Sequence, residues 1–326
     1  MSQSAPAPFS RPPAGAGNLL ERMFLGGSGL RSGWRLLVYF TLALLVLVAL
    51  ETIVGLFHRS AAIASSSLDE VPMLLSEVPM ALSAFAAAFI MGKFERRSFD
   101  AYGLPWRQAF SGRFWEGAIW GFAALSGVVG ALAGVHSLSF SAAGLGWTQA
   151  VAHGLLWGAL FLAVGFFEEF FFRGYALATL AGGIGFWPAA VVLSVVFGAV
   201  HLGNAGETVS AASETLLVGL LFCFTLRRTG SLWFGIGLHA AWDWGETFFY
   251  GVPDSGQVAS HHLLNSAAHG PIWLTGGTAG PEGGAVALMM VAGLCVLASL
   301  RFRQVRFPPR AGGGLEGRLP APSSPR

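Results

Sequence analysis

The sequence has few charged residues and few cysteines. Asp, Glu, Lys and Arg make up 11% of its 326 residues, against about 25% in a typical soluble domain. The formal net charge is only +2, so the chain offers no basic surface and no nucleic-acid partner is expected. Its two cysteines, Cys223 and Cys295, lie in apolar runs without metal-binding or redox spacing, and therefore indicate no compartment.

Apolar residues dominate the chain instead, at 54% of the sequence with a mean hydropathy of +0.61. Many of the apolar runs are long enough, as helices, to cross the ~30 Å hydrocarbon core of a bilayer. We therefore predict an all-α, polytopic integral membrane bundle of about eight transmembrane helices. These helices are expected at 34–57, 71–91, 114–135, 147–180, 186–201, 209–226, 231–250 and 285–300.

The composition divides the chain into five parts. Residues 1–33 are rich in Pro, Ala, Gly and Ser and are predicted to be a disordered tail, because such a segment cannot bury a core. Residues 34–92 hold two accessory transmembrane helices, and 93–250 hold the functional core. A non-cytoplasmic loop and the last transmembrane helix follow at 251–302, and 303–326 is a second predicted disordered tail.

The positive residues predict the orientation in the membrane. Arginines of the amino-terminal segment, of the loop after the second helix, and of the segments after the sixth and eighth helices all fall on one side. Both termini are therefore expected in the cytoplasm, with the chain in the cell (inner) membrane. The sequence shows no internal repeat, which gives little support to an inverted-repeat transporter.

Three ionisable residues, Glu168, Glu169 and Arg173, lie inside an aromatic and apolar run. A charge in hydrocarbon costs at least ~2.5–3.5 kcal/mol, so charges there usually mark function. Glu169 and Arg173 are four residues apart and can pair on one helix face, whereas Glu168 lies roughly 100° away and needs partners on other helices. The alternative is a purely structural ion pair that fixes the register of the helix.

Three more polar residues inside apolar segments are candidate partners: His201, His239 and Asp243. Measured from the predicted cytoplasmic helix ends, Glu168 and the two histidines lie at similar depths, roughly 12–21 Å, with access expected from the cytoplasmic half. Each histidine also has a structural alternative, since His201 can cap backbone carbonyls and His239 can pair locally with Asp243. The other histidines are left unassigned: His58, His136, His153, His261, His262 and His269.

A glutamate and two imidazoles at one buried point suit hydrolysis in two ways. The glutamate can take a proton from water while an imidazole positions that water or donates to a leaving amine. Two histidines with one carboxylate are also the ligand set of catalytic zinc, which activates a bound water. The predicted metal ligands are Glu168, His201 and His239, with a divalent ion such as zinc. A mechanism without metal stays open beside it.

Three motifs in order carry a family resemblance. Glu-Glu-x-x-x-Arg at 168–173, Phe-x-x-x-His at 197–201 and His-x-x-x-Asp at 239–243 resemble the CPBP family of intramembrane proteases. That family includes the type II CAAX prenyl proteases and the bacteriocin-immunity (Abi) proteins. The resemblance covers roughly residues 94–250.

The resemblance implies a role for each matching residue. Glu168 would activate the catalytic water, and Glu169 and Arg173 would support it. His201 and His239 would hold the water, the oxyanion or a metal. Family members are commonly labelled metalloproteases, and water activation by glutamate and histidine alone is the other proposed mechanism.

The predicted function is that of an intramembrane endopeptidase acting in the bilayer on membrane-associated proteins or peptides, with prenylated CAAX-type proteins as one option. Asp243 stands where the family more often has Asn, which favours a metal site or a fixed His239 tautomer over oxyanion stabilisation. Two alternatives stay open: a non-catalytic immunity or scaffold protein, and a proton-coupled transporter that uses the glutamates as a relay. The oligomeric state is left open.

Overall fold

The computed structural model describes residues 24–26, 29–57 and 69–308. The predicted disordered tails at 1–33 and 303–326 therefore lie largely outside the described residues, and so does His58. Within the described part of the first tail, strand β1 (Leu25–Gly26) pairs antiparallel with β2 (Gly29–Leu30). At the other end, Phe307 is buried and its N–H donates to the carbonyl of Arg227, so the chain packs onto the bundle as far as this residue.

The described chain is mostly helical. The main helices are α1 Ser32–Phe57, α2 Glu70–Glu95, α3 Gly112–Gly134, α4 Trp147–Phe170, α5 Leu177–Ile184, α6 Phe186–His201, α7 Val209–Thr229, α8 Trp233–Trp244 and α9 Ala285–Arg301. Shorter helical turns lie at Phe99–Tyr102, Trp106–Gln108, Phe171–Ala176, Gly245–Tyr250, Ile272–Thr275, Gly277–Ala279 and Pro281–Gly283.

Helix length and composition confirm a helical membrane bundle. Within the described residues, five helical stretches are long and apolar enough to cross a membrane: α1, α2, α3, the continuous stretch from α4 to α5, and α7. Helices α6 and α9 are apolar but shorter, and α8 reaches the length of the predicted span only with the turn Gly245–Tyr250. The count of eight spans stays a prediction.

The long stretch from α4 to α5 bends directly after the two glutamates. It runs from Trp147 to Ile184, but the turn Phe171–Ala176 is π-helical and Gly174 leaves helical geometry with a ψ of −109°. A side chain at Gly174 would meet the ring of Phe170. The predicted fourth helix is thus two helical segments joined by a kink, and π-helical turns of this kind are frequent at functional sites.

Helices α3 and α8 form the most extensive helix pair, and glycine makes their close approach possible. A Cβ atom on Gly117 or Gly121 of α3 would meet a backbone carbonyl of α8. A Cβ atom on Gly237 of α8 would in turn meet the carbonyl of Phe114. Small residues at such crossings let two backbones touch, so α8, which carries His239, is fixed by backbone contacts.

A two-stranded ribbon lies at the end of the bundle where α3 ends and α4 begins. Strand β3 (Leu138–Ala142) pairs antiparallel with β4 (Leu264–Ala268). Both segments were predicted as connections. Leu138–Ala142 alternates apolar and polar residues, but over five residues only, and its partner strand lies more than 120 positions away in the sequence. The ribbon ties the loop 251–284 back to the bundle.

Candidate active site

The site is built where α4 crosses α8. Gly165 of α4 allows the crossing, since a Cβ atom there would lie 3.2 Å from the carbonyl oxygen of Ile236. One turn further along α4, Glu168 and Glu169 reach the face of α8 that carries His239. The glycine and the glutamate pair therefore act together, because the close approach of the backbones brings the carboxylates to the imidazole.

Glu169 and Arg173 form the ion pair expected from their spacing. Arg173 Nη1 donates to Glu169 Oε1 over 3.2 Å, and both side chains are about 1% exposed. The guanidinium also lies over the ring of Phe197, 4.0 Å from its centroid. A buried charge of either sign is costly without its partner, so these two residues depend on each other.

His239 lies among three carboxylates. Its Nδ1 is 3.2 Å from Glu169 Oε1, and its Nε2 is 3.3 Å from Asp243 Oδ2 and 3.6 Å from Glu168 Oε2. The ring stacks on Phe222 at 5.3 Å between centroids. Contacts on both nitrogens and on one ring face fix the imidazole, with Nε2 directed toward Glu168.

His201 combines its structural and its functional interpretation. Its Nδ1 lies 2.8 Å from the carbonyl oxygen of Phe197, and because a carbonyl can only accept, Nδ1 carries the proton. Its Nε2 is then an acceptor, 4.0 Å from Glu168 Oε1. The contact of His201 with the Phe197 carbonyl is the one expected of a capping residue. The same contact sets the tautomer of the ring, so that Nε2 faces the site without a proton.

Glu168 is the least satisfied member of the group. Its side chain is 19% exposed, yet Oε2 is buried and makes no hydrogen bond within the described residues. The distances of 3.6 and 4.0 Å to the two imidazoles are too long for direct hydrogen bonds but suit a bridging atom. The structure thus brings all six predicted site residues together around this carboxylate.

Four of the six residues, Glu168, His201, His239 and Asp243, line one cavity of about 200 Å³. Much of its wall comes from the start of α2, the end of α6, the start of α7 and the loop 251–284. Acidic and polar residues from these segments include Glu77, Asn204, Glu214, Asp254 and Glu282, and no Lys or Arg of the described ranges lines the cavity. The loop was predicted on the non-cytoplasmic side, so the position of the cavity differs from the expected access through the cytoplasmic half.

Sequence reasoning missed the acidic part of this wall. Burial raises the pKa of Asp254 to about 6, although a hydrogen bond from Thr247 opposes the shift. Burial and the neighbouring charge of Asp254 raise the pKa of Glu282 to about 7. The sequence of the loop did not predict this acidic wall, because Asp254 and Glu282 come together only in the folded chain.

Two groups of residues in the described chain can each present three ligand atoms within 4.8 Å of one another. One is Glu70, His153 and His261, and the other is Glu246, Asp254 and Glu282. The predicted set of Glu168, His201 and His239 is not among them. The first group can hold a metal ion, and a metal at the predicted set stays a prediction.

The fold and the site define a helical integral membrane protein with a buried polar centre inside its apolar helices. Residues 153–245 match the family model described as type II CAAX prenyl endopeptidase Rce1-like. This match supports the CAAX protease family that the three motifs predicted, and the matched segment contains all six site residues. No curated protein matches the chain at a significant level.

Proposed function

We propose that the chain is an intramembrane endopeptidase that hydrolyses peptide bonds of membrane-associated proteins or peptides. One observation carries the proposal: Glu168 presents a buried Oε2 without a hydrogen bond toward the Nε2 of His239, and its Oε1 toward the Nε2 of His201, in one cavity. A carboxylate between two imidazoles is equipped to deprotonate a water and to steer it toward a carbonyl. The family match supports the same chemistry.

In this mechanism Glu168 is the general base. It takes a proton from a water that His201 Nε2 holds by accepting its second hydrogen. The hydroxide attacks the scissile carbonyl, and the C–N bond breaks once the amine receives a proton. Each ring nitrogen of His239 faces a carboxylate oxygen, the surroundings that suit a protonated imidazole, so we assign proton donation to His239.

Glu169 and Arg173 are positioning residues. Glu169 Oε1 accepts from Arg173 and faces Nδ1 of His239, so it links the arginine to the imidazole. Neither residue lines the cavity, and they act through His239 rather than on the substrate.

The donor types of this set also suit a zinc-type ion, although the ligand atoms of Glu168, His201 and His239 do not all lie within 4.8 Å of one another in the structure. Glu168 Oε2 and the Nε2 atoms of His201 and His239 would hold it, since two imidazoles and one carboxylate are typical ligands of catalytic zinc. Such an ion would make a bound water a stronger nucleophile at neutral pH. In the mechanism without metal, His239 Nε2 donates a proton, whereas in the zinc mechanism it would bind the ion. The metal content of the purified protein decides between the two mechanisms.

The charge of the cavity wall limits the class of substrate that the cavity can bind. It contains several carboxylates and, among the described residues, no Lys or Arg, so the only cation it offers there to a substrate carboxylate is a protonated histidine. Cavities lined by one sign of charge attract the opposite sign. We therefore favour substrates with a neutral or basic segment beside the scissile bond, with prenylated CAAX-type proteins as one option.

Mapping of new peptide termini in membrane proteins of the source cells tests the function without a guess about the substrate. Cells with the wild-type chain are compared with cells that express Glu168→Gln at the same level. Glu51→Gln on α1 serves as the matched control, because Glu51 is exposed and far from the site in sequence. Termini that need Glu168 but not Glu51 are expected. Identical maps with a folded variant would replace the protease with a non-catalytic immunity or scaffold protein.

A further inference from the structure

A second polar cluster lies at the end of the bundle where α2 and α4 begin, apart from the candidate active site. Glu70 opens α2, His153 lies in the second turn of α4, and His261 belongs to the loop 251–284. His153 precedes Glu168 by fifteen residues, or about 22 Å along a helix. The cluster therefore shares no residue with the candidate active site.

Both histidines direct the same ring atom at one carboxylate. His153 Nδ1 is 2.7 Å from Glu70 Oε1, and His261 Nδ1 is 3.4 Å from Glu70 Oε2. The two rings stack nearly parallel, at 3.9 Å between centroids and 13° between planes. The ligand atoms of all three residues lie within 4.8 Å of one another, so two nitrogens and an oxygen converge on one point.

Charge balance favours a cation at this point. The Glu70 side chain is only 6% exposed, and its ion-pair partners in the described chain are these two histidines. Two stacked imidazoles repel each other when both are protonated, so they are poorly suited to neutralise the carboxylate together. A divalent ion would neutralise it and would use the lone pairs of both neutral rings.

We propose that Glu70, His153 and His261 form a structural site for a borderline divalent metal ion, zinc foremost, that holds the loop 251–284 against α2 and α4. Two imidazoles with one carboxylate suit zinc better than the oxygen-seeking ions calcium and magnesium. The His261 side chain is 40% exposed, which gives the ion an entry path and leaves room for a water as fourth ligand.

Neighbouring hydrogen bonds already hold the loop 251–284 near α2 and α4 at this position. Trp157 Nε1 donates to the carbonyl of His261 over 3.0 Å, and Ser260 donates to Asp69 Oδ1 over 2.6 Å. These bonds already align the loop with α4 and with the start of α2. Asp254 and Glu282 of the same loop line the cavity of the candidate active site, so the ion would stabilise one wall of that cavity from a distance.

The test measures zinc in the full-length chain purified in detergent, by mass spectrometry after dialysis against zinc and then against metal-free buffer. A Glu168→Ala/His201→Ala background removes the ligands of the candidate active site, so this result is separate from the fate of the proposed protease function. About one equivalent of zinc is expected in that background. His153→Ala and Glu70→Gln should each lose it. His269→Ala, a histidine of the β3–β4 ribbon that contacts Ser139, should keep it.

No stoichiometric zinc in the background chain, or unchanged zinc in folded His153→Ala, overturns the site. If both variants fail to fold, Co²⁺ is bound to the background chain instead. A visible absorption band of a low-coordinate site that His261→Gln removes supports the metal site, and the absence of such a band overturns it.

Proteolysis tests whether the ion holds the loop 251–284 in place. Zinc at about one hundred times its Kd should slow cleavage within 251–284 about one hundredfold, and an unchanged rate would overturn the role in holding the loop.

Discussion

Oε1 of Glu169 lies 3.2 Å from Nδ1 of His239, and the same oxygen accepts the hydrogen bond of Arg173. One buried carboxylate thus joins the ion pair of α4 to the imidazole of α8. The stability of the bundle and the orientation of the candidate proton donor depend on the same atom.

A double-mutant cycle on the buried pair should show strong coupling. Glu169→Gln or Arg173→Met alone leaves an unpaired buried charge and should lower the free energy of unfolding by about 3–5 kcal/mol. The double variant should lose much less than the sum, as measured by denaturant unfolding in detergent. Arg301→Gln, which breaks a largely exposed pair with Glu116, should cost about 1 kcal/mol or less. Additive losses at 169 and 173 would show that the pair is uncoupled.

Asp243 should tolerate an amide better than an apolar side chain. Its Oδ2 lies 3.3 Å from His239 Nε2, and the amide oxygen of Asp243→Asn can occupy the same position beside this nitrogen. We expect Asp243→Asn to keep most of the kcat/KM on a peptide found by terminal mapping, and Asp243→Ala to lose about 10–100-fold. Circular dichroism of both variants controls for folding. Equal losses in the two variants would mean that the negative charge itself is required.

The acidic wall predicts that the protein becomes less stable as the pH rises. Burial raises the pKa of Asp254 to about 6 and that of Glu282 to about 7, both above their unfolded values. The folded state therefore binds more protons, and this contribution is full near pH 4 and lost as the pH rises through 6 to 7. The imidazole of His239 also faces Asp254, and the carboxylates that face this pair include Glu168, Glu207, Glu214, Asp243 and Glu246.

Thermal unfolding in detergent between pH 5 and pH 8 measures this effect. The midpoint should fall across the range in the wild type, because the free energy of unfolding decreases by an amount on the order of 1–3 kcal/mol for each carboxyl group. Glu282→Gln should flatten the curve, because it removes one titrating group and its repulsion on Asp254. A midpoint that rises with pH in the wild type would contradict the predicted direction.

The arginine distribution and the position of the cavity together predict its sidedness. With both termini in the cytoplasm, Asn204 on the cavity wall faces the opposite side, and Gln304 after α9 faces the cytoplasm. In a Cys223→Ala/Cys295→Ala background, a membrane-impermeant maleimide should label Asn204→Cys from outside intact spheroplasts. Gln304→Cys should react only after permeabilisation, and the reverse pattern would invert the topology.

The part of the site that sequence reasoning predicted depends on helix periodicity. The spacing of Glu169 and Arg173 fixes their pairing within one helix, and the motifs around His201 and His239 place one polar residue on each of two other apolar helices. Polar residues in apolar transmembrane helices face the interior of the bundle and pair with one another there. Their convergence on Glu168 follows from burial alone, without knowledge of the crossing angles.

The part that was missed depends on chain paths that have no local signal. His153 and His261 were left unassigned because one lay alone in an apolar helix and the other in a loop. They meet at Glu70 only because the ribbon of β3 and β4 directs the loop back over α4. The kink at Gly174 was missed for a related reason, since a glycine within an apolar run is equally compatible with a straight helix.

The glycine contacts between α3 and α8 also limit how this sequence can evolve. At Gly117, Gly121 and Gly237 any side chain would push one backbone away from the other, and α8 would carry His239 with it. In a saturation library selected for activity, these three positions should therefore be as intolerant as the histidine itself, although none of them touches a substrate. The lipid-facing positions of the same helices should accept most apolar residues. Glycines that contribute no functional group are thus expected to be as constrained in sequence as the residues that do.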